Sequence, residues 1–168
     1  MARLLRRGDV HVADAWAIVT AAAALYAERL RHAPDVAAAL DAAWDAAWSS
    51  VDPCLLELCR LEIATILRNP VEFESRTPAA VAAGFDDRKV SALTSWMHSP
   101  MITPSERACL TFTDAFVIDV ASLPDETAAA VGEHLGDAGL VDFASALLVL
   151  EQRQRLALVW ASLFAGTS

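Results

Sequence analysis

The sequence predicts an all-α protein of about eight helices, and three observations predict it. Hydrophobic residues make up 55% of the chain, Ala, Leu and Val dominate, and only six Gly and seven Pro are present; this mix favours packed helices over sheets. The Gly and Pro residues fall at intervals, each beside a residue able to begin or end a helix. Apolar residues recur at helical spacing, and no segment alternates with period two for long.

Each element follows from local signals. Asp14 can cap a first helix running to about Arg31 and closed by Pro34. Asp35 can cap a second, in which Val36, Leu40, Trp44 and Trp48 form an apolar face with Asp41 and Asp45 off it. Asp52-Pro53 opens a third helix through Leu55, Leu58, Leu61 and Ile66, with Asp as cap and Pro at the first helical position. Asn69-Pro70 opens a fourth, stopped by Gly84 in a left-handed cap. Asp86 or Asp87 starts a fifth, ended by Ser99-Pro100. Thr103-Pro104-Ser105-Glu106 is a capping box that starts a sixth helix to about Ile118. Pro124-Asp125 opens a seventh, broken at Gly136, and Asp137 or Gly139 starts a last long helix to about Phe164. No repeat, linker or domain boundary interrupts the 168 residues, so a single domain is expected.

Charge and cysteine usage narrow the function. Lys and Arg number 13 against 22 Asp and Glu, a net charge of -9; such a surface repels phosphate backbones, so no nucleic-acid partner is expected. Lys89 is the lone lysine. Cys54, Cys59 and Cys109 form no C-x-x-C, and with four scattered His they give no zinc-like spacing. No metal or cofactor is expected, and a reduced, cytoplasmic setting fits best. Met1–Arg7 is basic and Ala15–Ala27 is apolar, loosely like a signal peptide, but Asp9, His11 and Asp14 intervene. No apolar run approaches the ~20 residues of a membrane span, so no membrane partner is expected. The mean hydropathy of +0.37 fits surface hidden between subunits, and the Trp44/Trp48 face could serve such packing.

Four stretches carry a resemblance. Asp52-Pro53 precedes Leu55-Leu56-Glu57-Leu58 and Arg60-Leu61-Glu62-Ile63-Ala64; Arg76 leads to Ala82-Ala83-Gly84-Phe85-Asp86; Thr103-Pro104-Ser105-Glu106-Arg107-Ala108-Cys109-Leu110 follows; and Leu123-Pro124-Asp125-Glu126 runs through Leu140-Val141-Asp142-Phe143 to Gln154-Arg155-Leu156-Ala157. In order and spacing, over about residues 50 to 160, they resemble the carboxymuconolactone decarboxylase and alkylhydroperoxidase D-like family. The resemblance implies that family's helical bundle for residues 51–165, with residues 1–50 as extra helices. It also implies a homo-oligomer: a dimer, trimer or hexamer.

The redox branch of that family places a Glu, two Cys and a His in slots that here hold Glu57, Asn69, Glu72 and Arg76. Glu57 is kept; both cysteines and the histidine are replaced. Disulfide-based peroxide reduction needs a thiolate and a resolving thiol, so family-type peroxidase activity is not expected. Cys54 and Cys59 lie five apart on one predicted helix, ~140° off facing, and would not readily bridge.

The replacements support two readings. In the structural one, Asn69 is an N-cap, Pro70 the first helical residue, Glu72 the end of an N-x-x-E capping box, and Glu72 and Arg76 an i,i+4 ion pair, each device worth about 0.3–1 kcal/mol. In the functional one, the resemblance places the slot in a pocket at a helix N-terminus. There Glu57, Glu72 and Arg76 would be catalytic: Glu57 as general acid or base, Arg76 holding a carboxylate or a developing enolate. Asn69, Glu151 and His98 would border a small-molecule substrate. That set suits decarboxylation, isomerisation, lactone opening or cyclisation of a small organic acid or carbonyl compound. Glu57 and Arg76 could instead neutralise each other as a buried pair. Glu62, Glu74 and Glu106 read as solvated or capping, and Glu151-Arg155 as an i,i+4 pair. A noncatalytic binding or assembly protein on the same scaffold predicts a closed pocket with Glu57 neutralised. A peroxidase using the remaining cysteines is the third alternative.

Overall fold

The computed structural model describes residue 28 and residues 30–164. The helix expected from Asp14 and the signal-like start therefore lie almost wholly outside the described residues. Within them the chain is all-α. Seven α-helices are present: α1 (Pro34–Ser50), α2 (Pro53–Ile66), α3 (Pro70–Glu74), α4 (Pro78–Ala82), α5 (Arg88–Ala92), α6 (Pro104–Asp119) and α7 (Asp125–Phe164). Short 3-10 segments, Leu93–Ser95 and Val120–Ser122, follow α5 and α6. Among the described residues there is no strand, and no helix is long and apolar enough to cross a membrane.

The caps set where the helices start. Asp52 accepts from the Leu55 N–H at 2.9 Å, with Pro53 first in the helix. The capping box before α6 is complete: Thr103 Oγ1 accepts from the Glu106 N–H at 3.2 Å, and Glu106 Oε2 accepts from the Thr103 N–H at 2.9 Å. Helix α1 starts one residue before the expected cap: Ala33 stands at the cap with no side-chain bond, and Asp35 lies in the first turn, where a negative charge still favours the helix dipole. Gly84 closes α4 at φ +79, in the left-handed region expected of it. Gly136, at φ 74 and ψ 169, is non-helical and divides α7 into two helices at the break expected there.

The expected fourth helix, Asn69 to Gly84, is two helices. Pro78 is the cause. Its ring pushes the preceding residue out of the α region, and Thr77 is extended at φ -75, ψ 145. Thr77 then caps α4 through its Oγ1, which accepts from the Ala80 N–H at 3.4 Å. Ser75 is extended as well, at φ -88, ψ 159. Residues 75–77 thus form a bend between α3 and α4. The fifth expected helix is also shorter, ending at Ala92 before the 3-10 segment.

Helix α2 is the centre of the fold. Every residue from Leu55 to Ala64 is buried, because α6 and α7 cover its long faces and α3 and α4 cover a third. Leu56, Leu58, Leu61 and Ile63 meet Leu110 of α6 and Val131, Phe143, Leu147 and Leu150 of α7 in one core. Phe112 and Phe143 pack with ring centroids 5.8 Å apart and planes tilted by 57°, a favourable aromatic geometry. Helix α1 lies along α7. Its expected apolar stripe divides: Trp48 is buried in the core beside Trp44, 5.5 Å away, whereas Val36 is 53% exposed.

Candidate functional site

The polar residues that α2 buries build the site. Glu57 and Arg60 are one helical turn apart and both fully buried. Arg60 grips Glu57 with two bonds, Nε to Oε2 at 3.1 Å and Nη2 to Oε1 at 2.7 Å. Its Nη1 donates to Glu72 Oε2 at 2.7 Å and to the Glu72 carbonyl at 2.8 Å, and its Nη2 donates to the Ser75 carbonyl at 2.8 Å. A guanidinium has five N–H donors, and all five are engaged here. Glu57 accepts two further bonds, from Thr77 Oγ1 at 2.8 Å and from the Thr77 N–H at 3.4 Å.

The bend between α3 and α4 makes this possible. A continuous helix would point the Glu72 and Ser75 carbonyls along its own axis. Ended at Glu74, the chain leaves both to Arg60. Helix α7 adds Gln154, 2% exposed, whose Nε2 donates to the Arg60 carbonyl at 3.0 Å. Burial disfavours the charged form of Arg60, but the Glu57 hydrogen bond and charge, then those of Glu72, outweigh it and hold the guanidinium pKa above its ordinary value.

Glu57, Glu72 and Asn69 are thus brought together, and Arg60 joins them. Asn69 is 4% exposed and caps α3, its Oδ1 accepting from the Glu72 N–H at 3.3 Å. The reciprocal half of the expected N-x-x-E box is not made. The Asn69 N–H goes to the Ala64 carbonyl at 2.8 Å, and the Glu72 carboxylate goes to Arg60. The expected Glu72–Arg76 pair is also absent, because α3 ends at Glu74 and the i,i+4 geometry ends with it. Nor does Arg76 neutralise Glu57. Its Nε bonds Asp87 Oδ1 at 2.7 Å, and its Nη1 bonds the Phe73 and Ser75 carbonyls at 2.8 and 2.6 Å. The Asp87 side chain is 73% exposed, and exposed pairs contribute little. Arg76→Ala is therefore expected to cost under about 1 kcal/mol in urea unfolding.

The other candidates stand apart. Glu151 is buried and paired with Arg155 at 2.7 Å, the i,i+4 contact expected. His98 is exposed in the turn after the first 3-10 segment. Glu106 bonds Lys89 as well as its cap. Glu62 is not solvated: it is 7% exposed, accepts from Trp96, and meets Asp114 of α6. Arg60, Thr77 and Asp114 were the residues that sequence reasoning passed over; for Arg60 the signal was its i,i+3 spacing from Glu57.

The three cysteines are free, Cys59 and Cys109 buried and Cys54 partly so. Burial raises all three thiol pKa values, that of Cys109 to about 12, the reverse of what a reactive thiol needs. Among the described residues no three His, Cys, Asp or Glu side chains gather so as to hold a metal ion. A groove of about 520 Å³ runs between α1 and α7, walled by Val36, Leu40, Trp44, Leu148, Leu156 and Val159. The Arg153 guanidinium lies 4.2 Å over the Trp44 ring at its edge.

No protein-family model matches the sequence, and no curated protein matches it. Among solved structures, the fold matches a crystal structure from Agrobacterium tumefaciens, a protein of unknown function provisionally ascribed to AhpD-type antioxidant defence. The TM-score is 0.70 at 22% identity, covering 80% of this chain and 93% of that one. The likeness establishes an AhpD-like helical fold.

Proposed function

We propose that this AhpD-like fold serves as a noncatalytic binding or assembly scaffold, in which the region used for redox chemistry elsewhere on the fold has become a structural joint. The observation that carries this reading is the saturation of Arg60 and Glu57. A general acid or base must exchange its proton with a substrate in hydrogen-bond reach. Glu57 is fully buried and its oxygens are taken by Arg60 and Thr77. Arg76, the residue proposed to hold a carboxylate, faces Asp87 instead. The raised thiol pKa values speak against relocated peroxidase chemistry in the same way.

Assembly is the activity the surface supports best, with a second copy of the chain as partner. The α1–α7 groove is apolar, and Val36, Leu148 and Val159 on its walls are each about half exposed. Apolar surface of this kind is what subunit association covers. Sedimentation of the wild-type chain at micromolar concentration is expected to show a homo-oligomer. Leu148→Glu with Val159→Glu is expected to shift it to monomer with the far-UV circular dichroism unchanged. A wild type that stays monomeric at every concentration would remove the assembly reading.

A further inference from the structure

Two carboxyl groups outside the Arg60 network stand in an arrangement that two ionised groups do not adopt. Glu62 of α2 meets the half-buried Asp114 of α6 through a hydrogen bond between their side chains. Each also keeps one buried oxygen without a donor, Glu62 Oε2 and Asp114 Oδ1. An ionised carboxylate has no hydrogen to give, so the contact closes only when one of the two carries a proton. The other donor to Glu62 is Trp96, from the turn after α5. Among the described residues, the titratable groups that bear on this contact are Glu62 and Asp114 themselves and the Cys59 thiol of α2, which burial keeps protonated. No cation enters.

We infer that Glu62 and Asp114 form a proton-operated clasp between α2 and α6, closed while they share one proton and loosened when that proton leaves and two carboxylates face each other without a cation. The clasp does not depend on the assembly reading. Burial first, then the neighbouring Asp114, carries the Glu62 pKa from the ordinary 4.5 up to about 7. Burial raises Asp114 too, but the hydrogen bond from Glu62 works the other way, so the proton resides on Glu62. The sign follows from linkage. Between about 4.5 and about 7 the folded chain holds a proton that the unfolded chain has released. Stability is therefore fully present below the lower value and is lost as pH rises through the upper one. The loss is up to about tenfold in the folding constant per pH unit within that window, levelling off above it. Since α2 also carries Glu57 and Arg60, the clasp makes the packing around that network sensitive to pH near neutrality.

The test is urea unfolding of the full chain from about pH 5 to 8, for wild type, Glu62→Gln and Asp114→Asn, with a carbon-13 NMR titration of the wild-type Glu62 carboxyl. The wild-type folding constant is expected to fall by at least about tenfold across this range relative to Glu62→Gln; histidine titrations are common to both and cancel in the ratio. The NMR midpoint of Glu62 is expected near 7 and is expected to move toward the ordinary carboxylate range in Asp114→Asn. Parallel pH profiles for wild type and Glu62→Gln would overturn the clasp. So would a wild-type Glu62 midpoint among ordinary carboxylates, a readout that stands even if a variant does not fold.

Discussion

Arg60→Ala is expected to cost about 3–5 kcal/mol of folding stability, the range for breaking a buried ion pair by removing one partner. The magnitude follows from what is left behind. Glu57, fully buried, keeps only Thr77, the Glu72 carboxylate loses its cation, and the Glu72 and Ser75 carbonyls each lose one of two donors. Since total stabilities run to roughly 5–15 kcal/mol, the variant is expected at the edge of folding, which urea titration followed by circular dichroism would report. Arg60→Lys is expected to recover little. An ammonium offers three donors from a point, whereas the site presents five acceptors around a planar fork. Recovery by Lys to within about 1 kcal/mol of wild type would show that charge alone, rather than the guanidinium geometry, holds the joint.

Phe143→Ala is expected to cost about 3–5 kcal/mol as well, by a different route. Phe143 is fully buried, and its ring packs against Phe112 of α6. Truncation opens a cavity where α6 and α7 meet over α2, and the aromatic contact is lost in addition. The loss should shift the urea midpoint with little change in slope, because the surface exposed on unfolding is nearly the same.

Much of the fold was legible because its signals are local. Asp52, Asn69 and Thr103 each cap the helix they were expected to cap, and Gly84 and Gly136 each adopt a positive φ. A cap needs only its own turn to act, so the sequence displays it. The break at Thr77-Pro78 was also written locally, in the restriction that proline places on the residue before it. The helix expected from Asn69 to Gly84 runs straight across that proline. The site was harder for a physical reason. Glu57 and Arg60, one turn apart on α2, look like the wet side of an amphipathic helix. Only the arrival of α3, α4, α6 and α7 makes that side interior, and sequence spacing says nothing about which distant helix will arrive. The same holds for Glu62 and Asp114, which belong to different helices and carry no motif. The Glu72–Arg76 pair was a sound expectation for a continuous helix. It failed because α3 stops at Glu74, and the carbonyls freed by that stop are what Arg60 takes up.

The central claim is that the Glu57 network is a structural joint and not a reaction centre. Residues held ready for catalysis commonly cost stability, so replacing them is neutral or stabilising. A joint behaves oppositely. The most direct measurement is the equilibrium urea unfolding of Glu57→Gln beside wild type. The joint predicts a loss of about 3 kcal/mol or more, since Arg60 would stay buried without its bidentate partner. An unchanged or increased stability in Glu57→Gln would contradict it and return Glu57 to the list of residues with chemistry to perform.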